Sequence, residues 1–105
     1  MMDSPLPPEP AGGALAETVA RTATIRNRRG LHARAAAKFV KTAALFDAQV
    51  MVIKRGVEVS GLSIMGLMML AAGPGCDIDL KASGREAAQA ITALVALIDA
   101  KFDED

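Results

Sequence analysis

The segment that most constrains the fold is a strict alternation of apolar and charged residues from Cys76 to Ala82. In a β-strand, successive side chains point to opposite faces, so this pattern predicts a strand with one face in a core and the other in water. Such a strand buries its apolar face against a second layer of structure. The rest of the chain is therefore expected to supply neighbouring strands and the helices that cover them.

The periodicity of the other segments supplies those elements. Alternating or β-branched runs predict strands, and apolar residues at helical spacing predict helices. The strands are expected at Thr18–Arg26, Ala48–Lys54, Val57–Val59 and Cys76–Ala82. The helices are expected at His32–Phe46, at Ser63–Leu70 and from Ala87 to about Lys101. The order βαββαβα, with two long helices on one apolar side of four strands, predicts an α+β two-layer sandwich.

Two further features concern the ends of elements. Ser83 and Glu86 have the spacing of a capping box, in which each side chain bonds a free backbone amide at a helix start. The acidic run 103–105 is expected to be a solvated end. At the other end of the chain, residues 1–16 are rich in Pro, Ala and Gly without periodicity, which predicts a flexible extension. Residues 17–105 are expected to form one domain.

Composition narrows the class of protein. With 51% hydrophobic and 23% charged residues the chain can bury a core, and its one cysteine allows no internal disulfide and suits a reducing compartment. No basic leader precedes an apolar run, and the apolar stretch 61–72 is interrupted and shorter than the roughly 20 residues that span a bilayer. We expect a cytoplasmic protein that does not contact the membrane.

The charge is unevenly distributed. The 12 basic and 12 acidic residues sum to zero, yet every charged residue between positions 21 and 41 is basic. The only histidine, His32, lies within this stretch, at the predicted junction of a loop and the first helix. The seven basic residues are Arg21, Arg26, Arg28, Arg29, Arg34, Lys38 and Lys41.

This placement of His32 predicts a phosphoryl acceptor. A helix N-terminus offers unpaired amides and positive potential, which suit a dianionic group. Gly30 allows a sharp turn, and the guanidinium of Arg34 matches phosphate oxygens. A neutral imidazole has a lone pair that can attack phosphorus. On these residues alone, a solvated cap at the helix start remains the alternative, and so does a nucleophilic pair with Ser60 or Ser63 if the fold joins them.

A binding module of a different class is also open. Nucleic acid could bind to the basic residues Arg28, Arg29, Lys38 and Lys41. Against this, the chain has no Trp or Tyr for base stacking, and its three Phe lie mostly at core spacings. No metal site is expected, because there is one histidine and Cys76 lies on a separate strand. No cofactor is expected either.

Two motifs carry a resemblance to a known family. Residues 27–36 read NRRGLHARAA and resemble the active-site segment of HPr, the phosphocarrier of the bacterial phosphoenolpyruvate-dependent sugar phosphotransferase system. Residues 61–68 read GLSIMGLM and resemble the regulatory-serine segment of that family. The resemblance extends over about residues 18–102. It implies an open-faced β-sandwich, in which three helices cover one face of a four-stranded antiparallel sheet.

The resemblance also implies roles for individual residues. His32 would accept a phosphoryl group on Nδ1 from enzyme I and pass it to an enzyme IIA, while Arg34 would hold the phosphoryl oxygens. Ser63 would be modified by HPr kinase/phosphorylase. The chain would act as a monomeric carrier without enzyme activity or bound nucleic acid. The residues beside the phosphate would be Arg29, Gly30, Leu31 and Ala33. The residues that dock partner proteins would be Ile64, Met65 and Met68.

The chain departs from the family pattern at two positions. Ala35 stands where the family usually has Pro, so the start of the first helix is expected to be intact but less rigid. Arg29 replaces a frequent small polar residue, so a side-chain cap on the helix amides is expected to be missing while a second cation is gained. The sequence leaves open whether the output is sugar transport or the regulation of nitrogen or carbon supply.

Overall fold

The computed structural model describes residues 17–104, so the predicted extension 1–16 lies outside the described residues. The strands are β1 Glu17–Thr24, β2 Gln49–Lys54, β3 Val57–Ser60 and β4 Asp77–Gly84. The helices are α1 Ala33–Ala43, α2 Ile64–Met69 and α3 Ala87–Asp99, and a short turn, Lys101–Asp103, follows α3. The predicted order βαββαβα is confirmed.

The four strands form one antiparallel sheet in the order β1-β4-β2-β3. The strand with the strict alternation, β4, lies between β1 and β2, and its residues Ile78, Leu80 and Ala82 are buried as predicted. On the opposite face, the hydroxyls of Thr22 and Thr24 donate hydrogen bonds of 2.7 and 2.6 Å to the carboxylates of Asp79 and Asp77. The alternation therefore divides the sheet into an apolar face and a hydrated face.

The helices cover the apolar face. Phe39 of α1, Leu67 of α2 and Leu94 of α3 are fully buried in one core with the inner row of the sheet. The other sheet face carries no helix among the described elements. This arrangement confirms the predicted open-faced sandwich of three helices on a four-stranded antiparallel sheet. Helices α1 and α2 also contact one another on this face.

The predicted capping box is wrong. Ser83 is paired within the sheet to both Thr18 and Gln49, so its backbone cannot also begin a helix. Helix α3 begins at Ala87, four residues later, and Glu86 accepts a hydrogen bond of 2.7 Å from the amide of Asp47 instead of one from its own helix. The amide of Glu86 in turn donates to the Asp47 carbonyl at 2.9 Å. A contact between distant loops has replaced a local cap.

The chain ends in a left-handed turn. Lys101, Phe102 and Asp103 have φ angles of 59°, 55° and 60°. This left-handed conformation costs an L-residue roughly 1–2 kcal/mol. Two contacts hold it: the Phe102 ring is fully buried, and Lys38 Nζ donates a hydrogen bond of 2.6 Å to the Phe102 carbonyl. The expectation of a solvated end is therefore wrong for Glu104, which the turn directs back toward the start of α1.

A close approach of two loops fixes where α1 begins. In the loop before α1, Leu31 N donates a hydrogen bond of 2.9 Å to the carbonyl of Ala72, which lies in the loop between α2 and β4. Gly30 has a φ of 66°, and a Cβ at this position would lie 2.4 Å from the Ala72 oxygen. Only glycine satisfies both the left-handed backbone and this separation. Gly30 is thus needed for the two loops to meet.

A matched pair of substitutions tests this contact. Gly56 also has a positive φ, 81°, but a Cβ there meets nothing within 4 Å. Gly56→Ala is expected to lower the free energy of unfolding by roughly 1–2 kcal/mol through backbone strain alone. Gly30→Ala adds overpacking to the same strain. It should therefore lower the free energy of unfolding by about 1–3 kcal/mol more than Gly56→Ala does. Urea denaturation of both variants measures the difference, and equal losses would contradict the close contact.

Candidate functional site

His32 is the N-cap residue of α1. Its backbone is extended, with φ −75° and ψ 178°, and its carbonyl accepts the first helical hydrogen bond from Ala36 at 2.8 Å. Its side chain makes no capping hydrogen bond to the helix. The amides of the first turn, including those of Ala33 and Arg34, have no partner four residues earlier within the helix. The positive end of α1 therefore faces the site, and the predicted absence of a side-chain cap is confirmed.

A carboxylate orients the imidazole ring. His32 Nε2 lies 2.9 Å from Glu104 Oε2 and 3.1 Å from Oε1, with the His32 side chain 15% exposed. An ionised carboxylate only accepts hydrogen bonds, so Nε2 carries the proton in this contact. In the neutral imidazole Nδ1 then has the lone pair, and no hydrogen bond to Nδ1 is found within residues 17–104. The ring presents Nδ1 away from Glu104.

Sequence reasoning missed Glu104. It lies 72 positions from His32 in an acidic run that gives no local signal of a contact. Hydrogen bonds from Asn27 and His32 hold the pKa of the Glu104 carboxyl below its ordinary value of 4.5, and the charge of Arg29 acts in the same direction. The carboxylate is therefore ionised at neutral pH, as its role as an acceptor requires.

Asn27 joins the carboxylate to the loop. This residue is fully buried, and its Nδ2 donates to the Gly30 carbonyl at 2.8 Å and to Glu104 Oε1 at 3.0 Å. The first of these bonds is a local one typical of asparagine in turns. Asn27 is the first residue of the motif 27–36, but the resemblance implied no role for it. The position of Asn27 in a turn could have indicated its bond to Gly30, but nothing local in the sequence indicates its bond to Glu104.

Three of the predicted cations gather around Glu104, the carboxylate that bonds the ring. Arg28, Arg29, Arg34 and Glu104 line one surface cavity of about 270 Å³, and all three arginines are exposed. Lys38, by contrast, is tied to the Phe102 carbonyl. The structure thus brings together Arg29 and Arg34 as the sequence predicted. Three guanidinium groups around an open cavity give it a net positive field suited to a small anion.

The other predicted neighbours of His32 divide into two kinds. Ala33 is exposed at the helix start, whereas Leu31 is buried and its amide is already bonded to Ala72. Leu31 therefore lies beside the site without an amide to offer a phosphate, and Gly30 serves the turn that holds the loops together. Of these three predicted neighbours, only Ala33 has an uncommitted amide at the helix start.

Apolar side chains of α2 lie next to the ring. His32, Leu31 and Met68 line a shallow depression with Arg29 and residues 71–73. Along the same helix Ile64 and Met65 are exposed, Met65 to 72%. We call Ile64, Met65 and Met68 the methionine face. Of these three predicted docking residues, the structure brings Met68 into one depression with His32, while Ile64 and Met65 lie exposed on the same helix.

Ser63 caps helix α2. Its Oγ accepts a hydrogen bond of 2.9 Å from the Gly66 amide, and the residue is half-buried. Ser60 Oγ likewise accepts from Leu62 N at 3.1 Å. Among the described residues, the hydrogen bonds of the His32 ring go to Glu104 and to neither serine. A nucleophilic pair of serine and His32 is therefore wrong for this structure.

The described part of the chain offers neither a metal site nor a membrane-spanning helix. Within residues 17–104, no three His, Cys, Asp or Glu side chains are grouped so that they could hold a metal ion. None of the helices in this part is both long enough and apolar enough to cross a bilayer.

The fold and the site together define a class. An open-faced sandwich that holds a single histidine at the amino end of α1, with arginines beside it, is the architecture of a histidine phosphocarrier. Residues 19–100 match the PTS-HPr family model, described as the PTS HPr component phosphorylation site. The chain belongs to the HPr family of phosphocarriers of the phosphotransferase system.

Individual relatives agree with this assignment. The phosphocarrier protein NPr of Shewanella violacea is 45% identical over 84 residues, which cover 80% of this chain and 92% of that one. The phosphocarrier protein HPr of Pseudomonas aeruginosa is 50% identical over 82 residues, which cover 77% of this chain and 91% of that one. A crystal structure of HPr from Thermoanaerobacter tengcongensis has a TM-score of 0.80 and 45% identity, and covers 83% of this chain and 98% of that one.

Proposed function

We propose that His32 accepts a phosphoryl group from enzyme I on Nδ1 and passes it to an enzyme IIA. The observation that carries this proposal is the contact of Nε2 with Glu104, which leaves Nδ1 free of that carboxylate in a ring that shares a surface depression with Arg29. In the first transfer, that lone pair forms the bond to phosphorus. The bond between phosphorus and the donor atom of enzyme I breaks, and its electron pair stays on the donor. The second transfer is the reverse step toward the acceptor.

The charged groups around the ring have distinct tasks in this proposal. The guanidinium of Arg34 holds phosphoryl oxygens during both transfers, since a planar fork can donate two hydrogen bonds to them. Arg29 adds a second cation on the rim of the cavity. The amides at the start of α1 and the helix dipole attract the same negative charge.

The central experiment is phosphorylation by the donor. The protein incubated with phosphoenolpyruvate and enzyme I should gain one phosphate that is labile in acid, and His32→Ala should abolish it. Mass spectrometry and acid treatment measure both results. A wild-type protein that stays unmodified, yet binds RNA or DNA with strong salt dependence, would favour the nucleic-acid alternative.

The two arginines provide a graded comparison in the same assay. Arg34→Ala should slow phosphorylation roughly 10- to 100-fold, because losing one charge-assisted hydrogen bond costs about 1.5–3 kcal/mol. Arg29→Ala should slow it no more than about fivefold, since an exposed charge contributes roughly 1 kcal/mol or less. If Arg34→Ala reacted at the wild-type rate, the role given to this residue would be wrong.

The methionine face is proposed as the docking surface for partner proteins. Its side chains are apolar, flexible and exposed, and such side chains can repack against several unrelated partners. Met68 also lines the depression that contains His32, so a partner seated on this face would reach the ring. A donor, an acceptor and a kinase could then use one surface.

Two neighbouring methionines on α2 provide a test of the docking role and its control. Met68 lies in the depression with His32, whereas the neighbouring Met69 lies in a different one, with Lys54 and Val57. Met68→Asp is expected to weaken binding to enzyme I about tenfold or more, because it buries a charge in an apolar contact. Met69→Asp should leave binding within about twofold, since an exposed surface change contributes little. Isothermal titration calorimetry with enzyme I measures both, and normal binding by Met68→Asp would contradict the docking role.

We further propose that Ser63 is a regulatory site for HPr kinase/phosphorylase. It is half-buried at the start of α2 and immediately precedes the methionine face. Phosphorylation would add a charge of about −2 beside an apolar docking surface. The added charge would oppose the approach of an acidic partner and would have to be desolvated in the complex.

A phosphomimetic pair tests this regulation. Ser63→Asp should slow phosphorylation of His32 by enzyme I about tenfold, the effect of roughly 1.4 kcal/mol at the docking surface. Ser60→Asp carries the same charge at an exposed serine at the end of β3 and should react at close to the wild-type rate. Equal rates for the Ser63 variant and wild type would refute the regulatory role.

Several observations weigh against nucleic-acid binding. Phe39 and Phe102 are fully buried and Phe46 is packed against the core, and the chain has no Trp or Tyr, so no aromatic side chain is open for base stacking. Lys38, which the alternative would use, is bonded to a backbone carbonyl. The phosphoryl carrier thus accounts for the cations better.

The state and the location of the carrier are part of the same proposal. Neither transfer, as proposed, uses a residue from a second copy of the chain. Cys76, the only cysteine, is unpaired and half-buried, in keeping with a reducing compartment. We therefore propose that the chain carries phosphoryl groups as a monomer in the cytoplasm.

A further inference from the structure

Glu104 has two independent attachments at the site. Its carboxylate lies within 3.1 Å of His32 Nε2 through both oxygens, and one of them also accepts from Asn27 Nδ2 at 3.0 Å. The side chains of His32 and Glu104 are only 15% and 21% exposed. A contact of this kind at an exposed chain end would exchange freely with water. Here it is shielded and shared with a fully buried asparagine.

The segment that carries Glu104 is built to place it there. Three consecutive residues, Lys101 to Asp103, adopt the left-handed conformation, and none of them is glycine. The buried Phe102 ring and the bond from Lys38 to its carbonyl hold the turn in place. A helix that continued through these residues would carry Glu104 away from the ring. Strained backbone that the surroundings enforce is often found where a side chain must be positioned for function.

We propose that Glu104 is a positioning residue that selects the nitrogen of His32 that reacts. By accepting from Nε2–H, the carboxylate stabilises the tautomer in which Nδ1 has the lone pair. The proposal rests on the proposed function, which uses that lone pair for phosphoryl transfer. It adds that the choice of nitrogen is made by a residue at the far end of the chain.

The same contact acts during the transfer. When the Nδ1 lone pair forms the bond to phosphorus, Nε2 keeps its proton and the ring gains positive charge. The donor leaves with the electron pair of its own bond to phosphorus, so no further reactant is needed. The Glu104 carboxylate stabilises the charge on the ring, as a carboxylate does for the histidine of a hydrolase triad. It does so from the Nε2 side, opposite the reacting nitrogen.

The neighbouring acid provides a control. Asp103 is exposed, and in the described structure its side chain makes no hydrogen bond or ion pair with the ring. Asp103→Asn removes the same charge as Glu104→Gln one residue away, and asparagine tolerates the positive φ at this position. A general effect of charge near the site would change both variants alike, whereas a positioning role would change one.

The first measurement reads the ring directly. The protein labelled with 15N at histidine is examined by NMR at alkaline pH, where imidazoles are neutral and the two nitrogen shifts report the tautomer. His32 is the only histidine, so its signals need no assignment. Wild type and Asp103→Asn should have mainly Nε2–H. Glu104→Gln should have a clearly smaller Nε2–H fraction, because a neutral amide can accept from or donate to the ring.

The second measurement is the rate of phosphorylation by enzyme I and phosphoenolpyruvate. Glu104→Gln should be about tenfold slower than wild type, and Asp103→Asn should be unchanged. If Glu104→Gln keeps the wild-type tautomer, or changes it without slowing the reaction, the positioning role is overturned. If wild type takes no phosphate while the tautomer still depends on Glu104, the proposed carrier function fails, and the control of the ring by Glu104 stands.

Discussion

The close contact between the loop before α1 and the loop after α2 is the constraint on which the site depends. Gly30 approaches the Ala72 carbonyl so closely that no side chain fits, and the Leu31 amide is bonded to the same oxygen. This contact sets the first residue of α1 and thus the position of His32. It also brings the end of α2, with Met68, beside the ring. The reactive group and the docking surface therefore depend on one junction.

A net charge of zero conceals a strongly divided surface. Three arginines line one cavity near the start of α1, where the helix adds its own positive potential. One carboxylate, that of Glu104, lies within this field, where hydrogen bonds hold its pKa low. Among residues 17–104, it is the only acidic residue lining that cavity. The surface thus combines attraction for a small anion with a fixed acceptor for one ring nitrogen.

Local patterns predicted most of the fold because their cause is local. The alternation in β4 needs only an apolar layer on one side, and any sheet that buries Leu80 buries its neighbours in the same row. The capping box failed because sheet pairing engages Ser83 from both sides while Glu86 bonds to the Asp47 loop. The partners of Ser83 and Glu86 lie far away in the sequence. The spacing within residues 83–86 therefore could not indicate these contacts.

The sequence by itself determined the order of the elements and the concentration of basic charge around His32. Each follows from periodicity, composition or spacing within one turn or one strand. Only the tertiary structure decided that Glu104 meets His32. That contact needs a left-handed turn that L-residues disfavour, and the turn persists because Phe102 is buried in a core built by the whole chain. Conformations that only distant packing stabilises leave no local signal in a sequence.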